Sequence, residues 1–177
     1  GLATEDRRRI GLLLKKDIEE NIALPNLPFH AKHGFVNVPW EKQSSEEYME
    51  KLKIKAPNIQ TLCRNLSGGN QQKVILSKWL AAGVKLLILD EPTKGIDVNA
   101  RAEFYALMDQ FVENGGAIIM VSSDMPEIIK VADRAYVMSE GRLTGELSRA
   151  EITELNLISL ANPVSDGSDA KQKKDKA

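Results

Sequence analysis

Apolar and polar positions change their spacing several times along the 177 residues, and each change marks an element. Gly1-Leu2-Ala3-Thr4 reads as the end of a strand, followed by a dense charged turn, Glu5-Asp6-Arg7-Arg8-Arg9. Asp17 to Leu24 reads as a short helix, capped near Lys16 or Asp17 and ended by Pro25. Residues 25 to 43 are loop-like, punctuated by Pro25, Pro28, Gly34 and Pro39. Phe29, Phe35, Val36, Val38 and Trp40 make that stretch unusually apolar, so it either folds under the helices or meets a partner. Ser44 and Glu47 have capping-box spacing, which predicts a helix from there to about Ile54, broken by Pro57-Asn58. Val74, Leu76, Trp79, Leu80 and Ala81 recur near the helical period, predicting a helix from Asn70 to about Ala82.

The second half alternates strand and helix. Leu86 to Leu89 is a short apolar run that reads as a buried strand of a parallel sheet. Phe104, Leu107, Met108 and Phe111 fall on one face of a helix from Asn99 to about Val112, ended by Asn114-Gly115-Gly116. Ala117 to Val121 reads as another buried strand, and Met125 to Val131 as a short helix. Ala135 to Met138 and Arg142 to Leu147 flank Glu140-Gly141 and read as a hairpin. Ser148 and Glu151 again have capping-box spacing, before a helix to about Leu160. Beyond Pro163 the residues are Ser, Asp, Gly, Lys and Gln, with no apolar residue past Val164 except alanine, a composition that reads as disordered.

Composition narrows the classes. Hydrophobic residues make up 42% and charged residues 28%, as in a globular domain. The net charge of −1 offers nucleic acid no basic surface. No apolar run approaches the ~20 residues of a membrane-spanning helix. The single Cys63 excludes an internal disulfide, fits a reducing compartment and reads as a buried, inert thiol. His30 and His33 are the only histidines, and the Pro28 and Gly34 around them argue for a loop rather than a metal site.

Candidate chemistry is concentrated between Leu66 and Asp97. Ser67-Gly68-Gly69 leads into the Asn70 helix. Ser67 or a neighbour can cap it, and the glycines let another backbone approach. A helix N-terminus with free amides attracts anions, although an ordinary capped helix reads the same way. Asp90 and Glu91 end the Leu86 strand, where open α/β sheets bind ligands. The first carboxylate can hold Mg²⁺ and the second can deprotonate a water, although two solvated acids also end many strands.

In this order and spacing the pieces resemble ABC-type ATPases. Leu66-Ser67-Gly68-Gly69 resembles the signature motif, Leu86 to Pro92 the Walker B motif, and Gly95-Ile96-Asp97 the D-loop. Asn70-Gln71-Gln72-Lys73, Thr93 to Asp97, and Ser122-Ser123-Asp124-Met125-Pro126-Glu127 are similar to the C-terminal ATPase half of bacterial sugar importers of the ribose, galactose, xylose and autoinducer-2 type. The resemblance spans roughly residues 1 to 160. It implies an α/β fold, a partial P-loop NTPase domain of ABC type. About 10–83 would form a helical subdomain with its connections, 84–147 core strands and helices, 148–160 a C-terminal helix, and 161–177 a disordered tail.

The same resemblance implies roles. Ser67, Gly68, Gly69 and Asn70 would bind, in trans, ATP held by an opposing ATPase half. Asp90 would hold Mg²⁺, with Glu91 as general base. Asp97 would couple the two nucleotide sites. Glu5 falls in the Q-loop where most relatives have Gln; a carboxylate can hold Mg²⁺ but cannot donate a hydrogen bond as Gln can. Ser123 stands where the family usually has a switch His; its hydroxyl can meet a phosphate or cap the next helix. The implied cofactors are ATP and Mg²⁺. The implied partners are an opposing ATPase half, transmembrane permease subunits and, indirectly, a periplasmic sugar-binding protein, at the cytoplasmic face of the bacterial inner membrane.

No G-x-x-x-x-G-K-[ST] loop, the usual phosphate cradle, occurs in these residues. In the family it precedes the Q-loop, so the chain is expected to be the C-terminal portion of an ATPase domain and inactive in ATP turnover by itself. Three functions stay open: part of an ATPase driving sugar import, a catalytically inactive module that docks on a partner through residues 5 to 55, and an ABC ATPase of translation or repair, which the importer-like Asn70 and Ser122-Ser123-Asp124 disfavour.

Overall fold

The computed structural model describes residues 1–31 and 34–162, which divide into two compact units, Gly1–Val121 and Ser122 onward. His33 and the stretch read as a disordered tail beyond Asn162 lie outside the described residues.

In the first unit, strands β1 (Leu2–Ala3), β2 (Leu86–Asp90) and β3 (Ala117–Val121) form a parallel sheet in the order β1-β2-β3. Leu2 pairs with Ile88, and Ile88 with Ile119, so one row of side chains crosses all three strands. Parallel strands need long crossovers, and the helices supply them. The continuous apolar runs predict strands buried on both faces, but only one face is covered. Leu87 and Leu89 are buried, whereas Leu86, Ile88, Ile119 and Val121 are between 38% and 54% exposed. Alternate residues point to opposite faces, and among the described residues the helices of this unit cover one of them.

Helix α1 (Ile18–Ala23) has the predicted start: Asp17 and Glu20 form a reciprocal capping box. Pro25 does not end the helical path there, because Leu24–Asn26 continues it as a tight turn into α2 (Leu27–His30). The helix expected from Ser44 to Ile54 is instead α3 (Val38–Lys51), capped by Asn37, with Pro39 in its first turn. A proline there removes no helical hydrogen bond, since the first amides have no partner anyway. Ser44 and Ser45 are therefore buried positions inside α3 rather than its cap. The segment 25–43 is mostly helical, and it leaves Phe29 and Phe35 more than three-quarters exposed.

Helix α4 (Gly68–Ala81) packs on α1 and α3, with Val74, Ile75 and Leu76 fully or almost fully buried. Trp79 on α4 donates its indole N–H to the Leu2 carbonyl at 2.9 Å, fastening β1 to this helix. Helix α5 (Val98–Glu113) buries Phe104, Met108 and Phe111, the face its spacing predicts, and Gly115 at φ +82° follows it in the left-handed conformation.

The second unit contains α6 (Met125–Val131), the antiparallel hairpin of β4 (Arg134–Ser139) and β5 (Arg142–Ser148), and α7 (Glu154–Ala161). Glu140 and Gly141 both have positive φ, the backbone of a two-residue hairpin turn. The Ser148–Glu151 capping box forms, but it opens only a short 3₁₀ turn, Arg149–Glu151; Thr153 caps α7. Ala135, Val137, Leu147, Ile152 and Leu157 make this unit's core.

Candidate functional site

Ser67 has extended backbone and caps α4, as its position before two glycines predicts. Its Oγ accepts from the Asn70 amide N at 3.5 Å and from the Asn70 side-chain Nδ2 at 3.0 Å. Those two bonds use the lone pairs of the hydroxyl and leave its O–H to donate. Asn70 is itself fixed, because its Oδ1 accepts from the Lys55 amide at 2.9 Å. Ser67 is exposed at the end of a fourteen-residue helix, so a hydroxyl, amides and a helix dipole face one surface.

Gly68 meets a backbone of the same chain and Gly69 meets a side chain. A Cβ on Gly68 would lie 2.9 Å from the Gly95 carbonyl oxygen, and one on Gly69 would lie 2.8 Å from the Ala100 Cβ. Glycine at both positions thus lets the signature-like turn sit directly on the turn that precedes α5. Asp97 belongs to that second turn and uses its carboxylate to cap α5, accepting from the Ala100 amide at 3.0 Å.

Asp90 ends β2 and Glu91 follows it, both half-buried, and Pro92 and Thr93 behind them are buried. Glu91 has φ +45°, a left-handed conformation uncommon for a residue with a Cβ. Its amide still bonds the Val121 carbonyl at 2.8 Å, so the strand ladder carries the chain straight into the strained residue. Strain of this kind gathers at working sites.

Glu5 is brought to the same region, but its carboxylate is held by Lys94, at 2.6 Å. That hydrogen bond keeps the Lys94 ammonium charged above the usual lysine range, and the charges of Glu91 and Asp90 act in the same direction. Lys94 lies outside the set of residues to which the motifs give a role, and in the sequence only its place close after the Asp90-Glu91 pair points to it. Among the described residues no three of His, Cys, Asp and Glu gather as a metal cage.

Ser123 lies in the second unit, exposed, between β3 and α6. It does not cap α6. Asp124 does so, accepting from the Glu127 amide at 3.2 Å, while Ser122 bonds the Glu127 carboxylate at 2.7 Å. Cys63 is fully buried, and its Sγ accepts from Asn21 Nδ2 at 3.3 Å. Burial first, then the Asp17 charge, pushes its thiol up to about 12.

A family profile described as ABC transporter matches residues 4–94. The chain is 47% identical over 161 residues to the ribose import ATP-binding protein RbsA of Bacillus licheniformis, covering 91% of this chain and 33% of that protein. It is 49% identical over 157 residues to the L-arabinose transport ATP-binding protein AraG of Geobacillus stearothermophilus, covering 89% of this chain and 31% of that protein. It thus spans about a third of the length of the curated relatives it matches. The ATP-binding cassette MJ0796, solved as a dimer in a post-hydrolysis state with ADP and Pi, shares the fold, with a TM-score of 0.70 at 20% identity over 84% of this chain and 62% of that one.

Proposed function

The chain belongs to the ABC transporter family, and from that premise we propose that it is part of an ATP-hydrolysing subunit that drives import of a sugar. The observation that carries the reading is the pairing of the Ser67-Gly68-Gly69 turn with the Gly95–Asp97 turn on one surface. A surface made of a donor hydroxyl, helix-end amides and a neighbouring acidic turn suits the phosphates of a nucleotide presented by an opposing ATPase half. Relatives named for import of ribose and of L-arabinose support a sugar as the cargo.

In this reading Ser67 donates its hydroxyl to the terminal phosphate, Gly68 and Gly69 offer amides, and Asn70 holds the serine rotamer. Asp90 would hold Mg²⁺, with Glu5, here bonded to Lys94, as a further oxygen donor. Mg²⁺ supplies charge neutralisation at the phosphates when bound. Glu91 takes the proton of the attacking water, its carboxylate set by the strained backbone. Asp97 links the two nucleotide sites through the turn it shares with Gly95. Ser123 is a neutral phosphate contact. Exposed Phe29 and Phe35 and the neighbouring Val36 and Val38 support docking of a membrane-embedded permease subunit.

The test is ATP turnover and sugar uptake by the full gene product carrying Ser67→Ala or Glu91→Gln. Each is expected to lower turnover by about 100-fold, as loss of one preorganised group does. Parental turnover in both variants would sink this assignment.

A further inference from the structure

Arg7, given no role above, joins two parts of this surface. Its Nη1 donates to the Lys94 carbonyl at 2.8 Å and its Nη2 to the Gly95 carbonyl at 3.3 Å. The same Nη2 would stand 2.9 Å from a Cβ on Gly68, so the guanidinium fills the notch between the Ser67-Gly68 turn and the turn before Asp97. Two residues earlier, Glu5 is held by the Lys94 side chain, so the segment 5–7 is seated on that turn at two points. Two consecutive carbonyls match the fork of an arginine, whereas a lysine offers one compact ammonium.

We propose that Arg7 is a positioning residue for ATP turnover, one that fixes the Ser67-Gly68 turn against the Gly95–Asp97 turn so that both meet the opposing half as one surface. The inference rests on the assignment of Ser67 made above. Arg7 touches no nucleotide in this scheme. It acts through Gly68 and Gly95, and it carries the position of the Glu5 segment to both turns.

The experiment compares Arg7→Ala, Arg7→Lys and Ser67→Ala in the full gene product, with Arg7→Gln serving in place of the alanine variant if that one fails to fold. Amide hydrogen exchange is read over 66–72 and 93–99, and ATP turnover is read against ATP concentration. Loss of two hydrogen bonds should speed exchange in both segments together, by about tenfold. Maximal turnover should fall by about tenfold while half-saturating ATP stays within about twofold, the pattern of a lost transition-state geometry rather than lost binding. Lysine should restore only part of each effect. Unchanged exchange, exchange altered in one segment alone, unchanged turnover, or full restoration by lysine would each overturn the role. Parental turnover in Ser67→Ala would instead overturn the underlying assignment, and that outcome is read independently of the exchange data.

Discussion

The ammonium of Lys73, 4% exposed, lies 2.6 Å from the Glu103 carboxylate and 3.2 Å from the Lys53 carbonyl, tying α4 to α5 beneath the two turns. The bond from Lys73 holds the Glu103 carboxyl below the usual carboxylate range. Removing the acid strands a buried cation, so Glu103→Ala should cost about 2 kcal/mol, less than for a fully enclosed pair because Glu103 is half in solvent. Lys73→Met combined with Glu103→Gln should recover most of that loss. A lowered carboxyl contributes stability above its unfolded value and loses it as pH falls through the folded one. The difference between the parent and Glu103→Gln in urea unfolding should therefore be full near neutrality and shrink below about pH 4.

Strain at Glu91 gives a second expectation. A residue with a Cβ at φ +45° sits at a conformational cost of about 1 kcal/mol that glycine does not bear. Relative to Glu91→Ala, which loses the same side-chain contacts but keeps the Cβ, Glu91→Gly should raise the unfolding midpoint in urea, and both should lower ATP turnover by about 100-fold, as Glu91→Gln does. A glycine variant no more stable than the alanine one would show that the left-handed backbone at Glu91 carries no strain in solution.

Cys63 should be inert in the folded protein. Its thiol is pushed up to about 12 by burial and by the Asp17 charge, so almost none is thiolate at neutral pH. Labelling by a disulfide reagent at pH 7.5 should be slower by about 100-fold than in urea, a ratio that reports local opening between α1 and the turn at Cys63–Asn65. Rapid labelling of the native chain would contradict the closed packing of Asn21 on Cys63.

The sequence makes some of this architecture plain. Phe104, Met108 and Phe111 announce α5, Asp17 and Glu20 announce α1, and Glu140-Gly141 announces the hairpin, because each signal is local. Helix α3 was hidden because Pro39 and Gly34 look like breakers, and only the tertiary setting turns Asn37-Val38-Pro39 into a helix start. The half-open sheet was hidden because a run such as Leu86-Leu87-Ile88-Leu89 has no polar face to reveal which side lacks cover. In the site, Ser67, Asp90, Glu91 and Asp97 could be named from motif spacing. Arg7 and Lys94 could not, since their contacts span almost ninety residues of chain: Arg7 reaches backbone carbonyls, which no side-chain pattern encodes, and Lys94 reaches a carboxylate that only the fold brings near.

The close seat of α4 on α5 can be tested through Gly69. In a helix alanine is normally favoured over glycine by about 1 kcal/mol, so propensity alone predicts that Gly69→Ala stabilises. The added Cβ, however, would lie 2.8 Å from the Ala100 Cβ and 3.6 Å from Ile96 Cγ2. The Ala100 Cβ moves only with its helix and Ile96 is buried, so the two helix starts must part by several tenths of an ångström, at a cost of about 1–3 kcal/mol. The expected net result is destabilisation with reduced turnover, because Ser67 and Asp97 no longer share one surface. Ala100→Gly should suppress the defect when combined with Gly69→Ala, although alone it weakens α5 slightly. A double-mutant cycle in urea unfolding measures the coupling, expected at about 1–2 kcal/mol. Strict additivity of the two changes would mean that the turns do not touch in solution, and the shared surface on which the functional assignment stands would go with them.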